Sequence, residues 1–192
     1  EDYSHIWFKS LLGGGHGHLS GAQEVLTIIL RDVLLAKCEA NRAEAKQILD
    51  SFMGDGYRFP IFKRLALICT DRYWTEYFPV LEKFLDEPTN HLHETDYEVE
   101  LYDVLHNHNQ DFSPVFKAKL RELIENIPEY YLKEGEKLTA YWKYKWLSAL
   151  KDSPDFSMAY NEAKEKVQPK NGEPYEPERS GVQAGAVVHQ SP

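Results

Sequence analysis

Apolar positions recur at three- and four-residue intervals through most of this chain, the period expected of helices that bury one face. The densest stretch is Tyr57-Arg58-Phe59-Pro60-Ile61-Phe62-Lys63-Arg64-Leu65-Ala66-Leu67-Ile68-Cys69. Pro60 suits a first helical turn, where its missing N–H costs nothing, and it pushes Phe59 towards an extended conformation. Ile61, Phe62, Leu65, Ile68 and Cys69 then form one broad face, leaving Lys63, Arg64, Leu67 and Asp71 as a narrow outer strip. A helix this apolar needs neighbours on two sides, so the pattern makes it the core of a helical domain.

Ahead of it, Tyr3, Ile6, Trp7 and Leu11 predict a short helix that stops at the Gly13-Gly14-Gly15-His16-Gly17-His18 loop. Ser20 with Gln23 has the form of a capping box. Val25 to Ala36, apolar except near Glu24, Thr27, Arg31 and Asp32, predicts a long and mostly buried helix. Asn41 with Glu44 repeats the capping signal for a helix bearing Ala45, Ile48, Leu49 and Phe52, and Gly54 is placed to end it in a left-handed turn. After Asp71-Arg72 a helix carrying Tyr77, Phe78, Leu81, Phe84 and Leu85 is expected, with Pro79 in its first turn and Asp86-Glu87-Pro88 at its end. Thr95 with Glu98 predicts another capping box, ahead of a stripe of Tyr97, Leu101, Val104, Leu105 and His108. Ser113-Pro114 opens a helix with Phe116, Leu120, Leu123, Ile124 and Ile127. From about Glu136, Leu138, Tyr141, Trp142, Lys145, Trp146, Ala149 and Leu150 make an aromatic-rich stripe. Ser153-Pro154 then starts a last helix, bearing Phe156, Ala159, Tyr160 and Ala163 and ending near Val167.

Helix pairs thus begin near positions 20, 59, 95 and 136, a spacing of roughly 36 to 41 residues that lies between the tetratricopeptide and HEAT or armadillo periods. No residue signature repeats at fixed offsets. The expected fold is therefore all-α: an irregular HEAT/armadillo-like array of antiparallel helix hairpins, an α-α superhelix, over residues 1–167. From Gln168 onwards Pro169, Pro174, Pro177 and several glycines break the period, so residues 168–192 are expected to form a largely irregular linker or tail, docked locally at most.

Composition changes this picture only by exclusion. Of 192 residues, 42% are hydrophobic and 28% charged, as in a soluble globular protein, and the longest apolar runs are far too short to span a bilayer. A net charge of -9 opposes non-specific attraction to phosphate backbones or anionic lipid. The two cysteines, Cys38 and Cys69, lie in apolar helical patterns with no second Cys nearby in sequence, which points away from a disulfide framework or a Cys-rich metal site and fits a cytoplasmic location. The chain starts Glu1-Asp2-Tyr3-Ser4 with neither an initiator Met nor a signal-like segment, and reads as a piece of a longer protein.

A resemblance bears on that last point. The strings Tyr57 to Arg64 and Tyr141-Trp142-Lys143-Tyr144-Lys145-Trp146-Leu147-Ser148-Ala149-Leu150, with Ser153-Pro154 after them, resemble segments in the helical middle region of very large bacterial proteins. Those proteins are similar to STAND-type or AAA-like ATPases used in signalling and antiviral defence. The likeness covers most of residues 1–192, tail included, and implies a scaffold or sensor region whose nucleotide site lies outside this chain.

No motif supplies chemistry of its own. Gly13 to Gly17 follows a predicted helix and lacks the Lys-Ser or Lys-Thr of a phosphate loop, so it reads as a flexible linker. His91, His93, His106 and His108, with Glu94, Asp96 and Glu98 between them, are the densest set of metal-ligand types, but residues two apart on a helix point in different directions. Trp142, Lys143, Tyr144, Lys145 and Trp146, near Lys133, Lys137 and Lys151, have the residue types of a basic aromatic platform for single-stranded nucleic acid, although Trp142 and Trp146 fit a buried stripe better. Arg58, Lys63 and Arg64 are expected to be solvated or paired with carboxylates. No residue is assigned as catalytic, cofactor-binding or metal-ligating. The expected function is a non-catalytic protein-interaction, scaffold or sensor module whose partner is another protein or a neighbouring domain of the same polypeptide. A metal-dependent hydrolase using segment 91–108 and a nucleic-acid-binding helical module are the alternatives.

Overall fold

A computed structural model describes residue 11 and residues 22–54, 56–87, 91–133, 135–169 and 172–177. Their regular structure is entirely helical: α1 (Ala22–Ala40), α2 (Arg42–Met53), α3 (Pro60–Arg72), α4 (Trp74–Asp86), a 3-10 turn (His91–His93), α5 (Glu98–His108), α6 (Pro114–Glu125), the short α7 (Glu129–Leu132), α8 (Glu136–Ala149) and α9 (Pro154–Val167). The predicted helix at Tyr3 to Leu12, the glycine loop and the Ser20 cap lie outside the described residues, except for Leu11.

The helices form two layers. The first helices of successive pairs pack side by side, α1 on α3, α3 on α5 and α5 on α8, while α2 packs on α4 in the second layer. That second layer continues through side chains. Phe78 of α4 meets Phe116 of α6 edge to face at 4.9 Å, and Lys119 of α6 bonds the Glu82 carbonyl and the Asp86 carboxylate of α4. Lys117 of α6 in turn pairs with Asp155 of α9 at 2.7 Å, and Arg121 lies over the Phe156 ring. The molecule is thus an all-α array of helix hairpins. Its third pair departs from the simple stacking, because α6 makes its more extensive helix contacts with α8.

The organising helix α3 starts at Pro60 as expected, yet its polar strip is narrower than the pattern implied. Every residue from Arg64 to Thr70 is buried, so Arg64 and Leu67 belong to the interior. By contrast α1 is long but not mostly buried: Val25, Leu26, Ile29 and Val33 are 40 to 64% exposed, and only Leu34 and Cys38 among its described side chains are fully covered. The reason is position. It is the outermost described helix of its layer, with α3 on one side and no described helix on the other.

Local signals fared unevenly. The Asn41 side chain accepts from the Glu44 N–H, and Ser113 accepts from the Phe116 N–H, so both are true N-caps. Thr95 is not a cap, since Tyr97 occupies that position with no side-chain bond. Gly54 ends α2 in an extended conformation, φ −83° and ψ 174°, instead of a left-handed one. Pro79 lies inside α4, not in its first turn, because the single residue Tyr73 (φ −122°, ψ 50°) separates α3 from α4 and the helix begins at Trp74. Pro79 is exposed there, where solvent can satisfy the carbonyl its ring leaves unpaired.

Candidate functional site

The most elaborate polar arrangement centres on α5, whose first turn carries Glu98 and Glu100. Two residues apart on a helix, these carboxylates point to opposite sides and reach both neighbouring helices of the layer. Glu100 accepts two bonds from Arg64 of α3, from Nε at 2.9 Å and from Nη2 at 2.8 Å, with both side chains about 1% exposed. Its Oε1 also accepts from the Leu11 N–H at 3.3 Å, and Arg31 of α1 donates to the Leu11 carbonyl at 2.6 Å. Residue 11 is thereby tied to α1 and α5 at once.

Glu98 faces the other way. It accepts from Lys145 Nζ of α8 at 2.5 Å, and the Tyr175 hydroxyl donates to its second oxygen. Lys145 is 1% exposed, and its ammonium sits 4.3 Å from the Trp142 ring centre, 5.0 Å from Trp146 and 5.9 Å from Tyr175. Burial lowers the pKa of Lys145 while Glu98 opposes the shift, and burial with the nearby Glu98 charge raises the Tyr175 hydroxyl. The sequence placed Lys145 on the aromatic stripe. It could not show that the cation turns inward to meet a carboxylate 47 residues earlier.

Segment 172–177 lies across this cluster. The Tyr144 hydroxyl donates to the Glu173 carbonyl, the Tyr102 hydroxyl to the Tyr175 carbonyl at 2.6 Å, and the Tyr175 N–H to Ser148 Oγ at 3.0 Å. The Tyr175 ring packs edge to face against Tyr102 and Tyr141 at 6.0 and 5.9 Å. Part of the expected linker is therefore docked on α5 and α8.

The histidines turn to separate neighbours. Nε2 of the buried His93 donates to the Leu123 carbonyl at 3.1 Å, and burial lowers its pKa to about 4. His106 donates to the Ala149 carbonyl at 3.3 Å, while His108 donates to the carbonyl and carboxylate of Asp71 and stacks on Trp74 at 4.3 Å. The side chain of His91 lies outside the described residues. Among those residues no group of three or more His, Cys, Asp and Glu side chains has the arrangement of a metal site. Lys143 pairs with Glu125 and Lys145 is buried, so neither presents a free cation on an aromatic platform.

One association escaped sequence reasoning. Cys38 of α1 and Cys69 of α3, both buried and free, are hydrogen-bonded to each other. The bond from Cys69 brings the Cys38 thiol down to about 7, and the same bond together with burial pushes Cys69 up. Their separation of 31 residues is shorter than the spacing of the helix pairs, so the period gave no signal for this contact.

A surface groove of about 670 Å³ lies between the end of α6, Leu132, α8 and α9, with Ala140, Leu147, Ala159 and Ala163 at its floor and Glu125, Lys143, Glu162 and Lys166 at its rim. Comparison with protein-family models, with curated proteins and with solved structures finds no match. No described helix is long and apolar enough to cross a membrane.

Proposed function

We propose that this chain is a non-catalytic protein-interaction module, a HEAT-like scaffold or sensor segment within a larger bacterial signalling or defence ATPase. The observation that carries the interaction reading is the outer face of α1. Leu26, Ile29 and Val33 are 64, 52 and 59% exposed and share one helical stripe, with Val25 at its edge. In an array that buries each helix of the layer between two others, this stripe is where a further helix packs. The buried charges of α5, in turn, are engaged within the fold and serve to align helices. The ATPase context rests on the resemblance of the Tyr57 and Tyr141 strings.

The test is site-specific photocrosslinking in the host, in the reading frame as it naturally occurs, with benzoylphenylalanine at Leu26 or Val33 and controls at the exposed Val115 and Met158. We expect one polypeptide to crosslink at Leu26 and Val33 but not at the controls, with loss when Ile29→Glu is added. Crosslinked peptides from a protein carrying a phosphate-loop ATPase motif support the full reading. Labelling no different from the controls overturns it.

A further inference from the structure

Segment 172–177, Gly-Glu-Pro-Tyr-Glu-Pro, has no regular structure, yet it is held as a peptide ligand is held. Two carbonyls and one N–H of its main chain are met by the side chains of Tyr144, Tyr102 and Ser148, and its single aromatic residue is anchored at the hydroxyl by Glu98. Main-chain bonds of this kind accept any extended peptide in the right register, while the tyrosine contacts supply selectivity. Pro174 and Pro177 favour the extended form before docking, which lowers the entropy cost of binding.

The segment joins the body through a short turn, in which the Gly172 N–H donates to the Pro169 carbonyl at 3.0 Å. Gln168 and Gly172 take left-handed conformations, φ 51° and 66°, and an open groove of about 510 Å³ runs beside Gln168, Pro169 and Gly172 along the last turns of α9. The segment therefore resembles a ligand on a short tether, whose effective concentration is on the order of millimolar.

We propose that the α5–α8 face is a binding site for an extended peptide with a Pro-Tyr core, and that residues 173–177 are the resident occupant which a partner's matching peptide displaces. This deepens the interaction reading, but it uses a different surface from the α1 stripe, so either can fail alone.

The probe is the synthetic peptide Gly-Glu-Pro-Tyr-Glu-Pro, titrated by calorimetry into the full chain and into its Tyr175→Ala variant, which vacates the anchor. We expect saturable 1:1 binding to the variant, at least tenfold weaker binding to the unmodified chain, and at least a tenfold loss when Ser148→Ala is added or the peptide tyrosine is replaced by phenylalanine. Binding that is absent from the folded variant, equal in the two chains, or indifferent to both losses overturns the proposal. Should Tyr175→Ala fail to fold, Gly172→Val strains the turn at φ 66° and loosens the segment without touching the site, and the same comparison applies. If neither variant folds, the segment is an inseparable part of the core and the proposal fails.

Discussion

Arg64 and Glu100 show how much a single pair can weigh in this interior. Both are about 1% exposed, so removing one partner leaves a charge in a dry core, at a cost of about 3–5 kcal/mol. Arg64→Leu and Glu100→Leu should each destabilise by that amount in urea unfolding, whereas the double variant should lose less than either, because no unpaired charge remains. Single losses below about 1 kcal/mol would show that water reaches the pair. His93 gives a pH dependence of defined sign. Its ring titrates near 4 in the fold against an ordinary 6.5, so between these values the unfolded chain binds a proton that the folded chain refuses. Stability should therefore be complete above pH 6.5 and fall as pH is lowered to 4, by up to roughly 3 kcal/mol for this group. In His93→Gln, a pH series of unfolding curves should lack this part of the acid loss; an unchanged slope would assign it to the carboxylates.

Among the elements, two Ser-Pro helix starts that look alike in sequence should respond differently. Ser113 caps α6 through its side chain, while Ser153 precedes α9 with no cap bond from its hydroxyl. Ser113→Ala should cost about 1 kcal/mol through the lost cap. Ser153→Ala, at a fully buried position, should cost distinctly less, because its hydroxyl satisfies no helix N–H and the smaller side chain leaves only a minor void. Equal losses would mean that the two starts are held by packing alone. This contrast marks the limit of what was legible. Helix starts at Pro60, Pro114 and Pro154 and the end at Val167 follow from backbone sterics and could be read directly. Whether α1 is covered, whether Arg64 points inward, and which carboxylate holds Lys145 depend on how helices are placed against one another, and a periodic pattern does not encode that. Glu98 illustrates the difference. Sequence grouped it with the histidines as a possible ligand, but its actual partners come from α8 and from residue 175. The Cys38–Cys69 contact and the docking of Tyr175 were hidden for the same reason.

At the scale of the whole molecule, several links between successive pairs join positions about one period apart: Arg64 to Glu100 and Asn107 to Asp71 are 36 residues apart, Arg42 to Glu76 is 34, and Lys117 to Asp155 is 38, while Glu98 to Lys145 spans 47. Such links couple each unit to its neighbour, and the strength of coupling differs along the chain. Helix α5 is packed between α3 and α8 and bolted to each by a buried ion pair, whereas α1 has one face open to solvent. In a near-neighbour array, stability is a sum of unit and interface contributions, so the outermost unit among the described residues should open before the middle. Native-state hydrogen exchange should accordingly show α1 amides exchanging through a sub-global opening, and α5 amides only through complete unfolding. Because Glu100→Gln weakens the α3–α5 junction, it should lower protection in α5 by more than in α9. Uniform protection from α1 to α9, falling together in the variant, would instead make the array one cooperative unit, and its hairpins would then share a core too continuous for the edge to move alone.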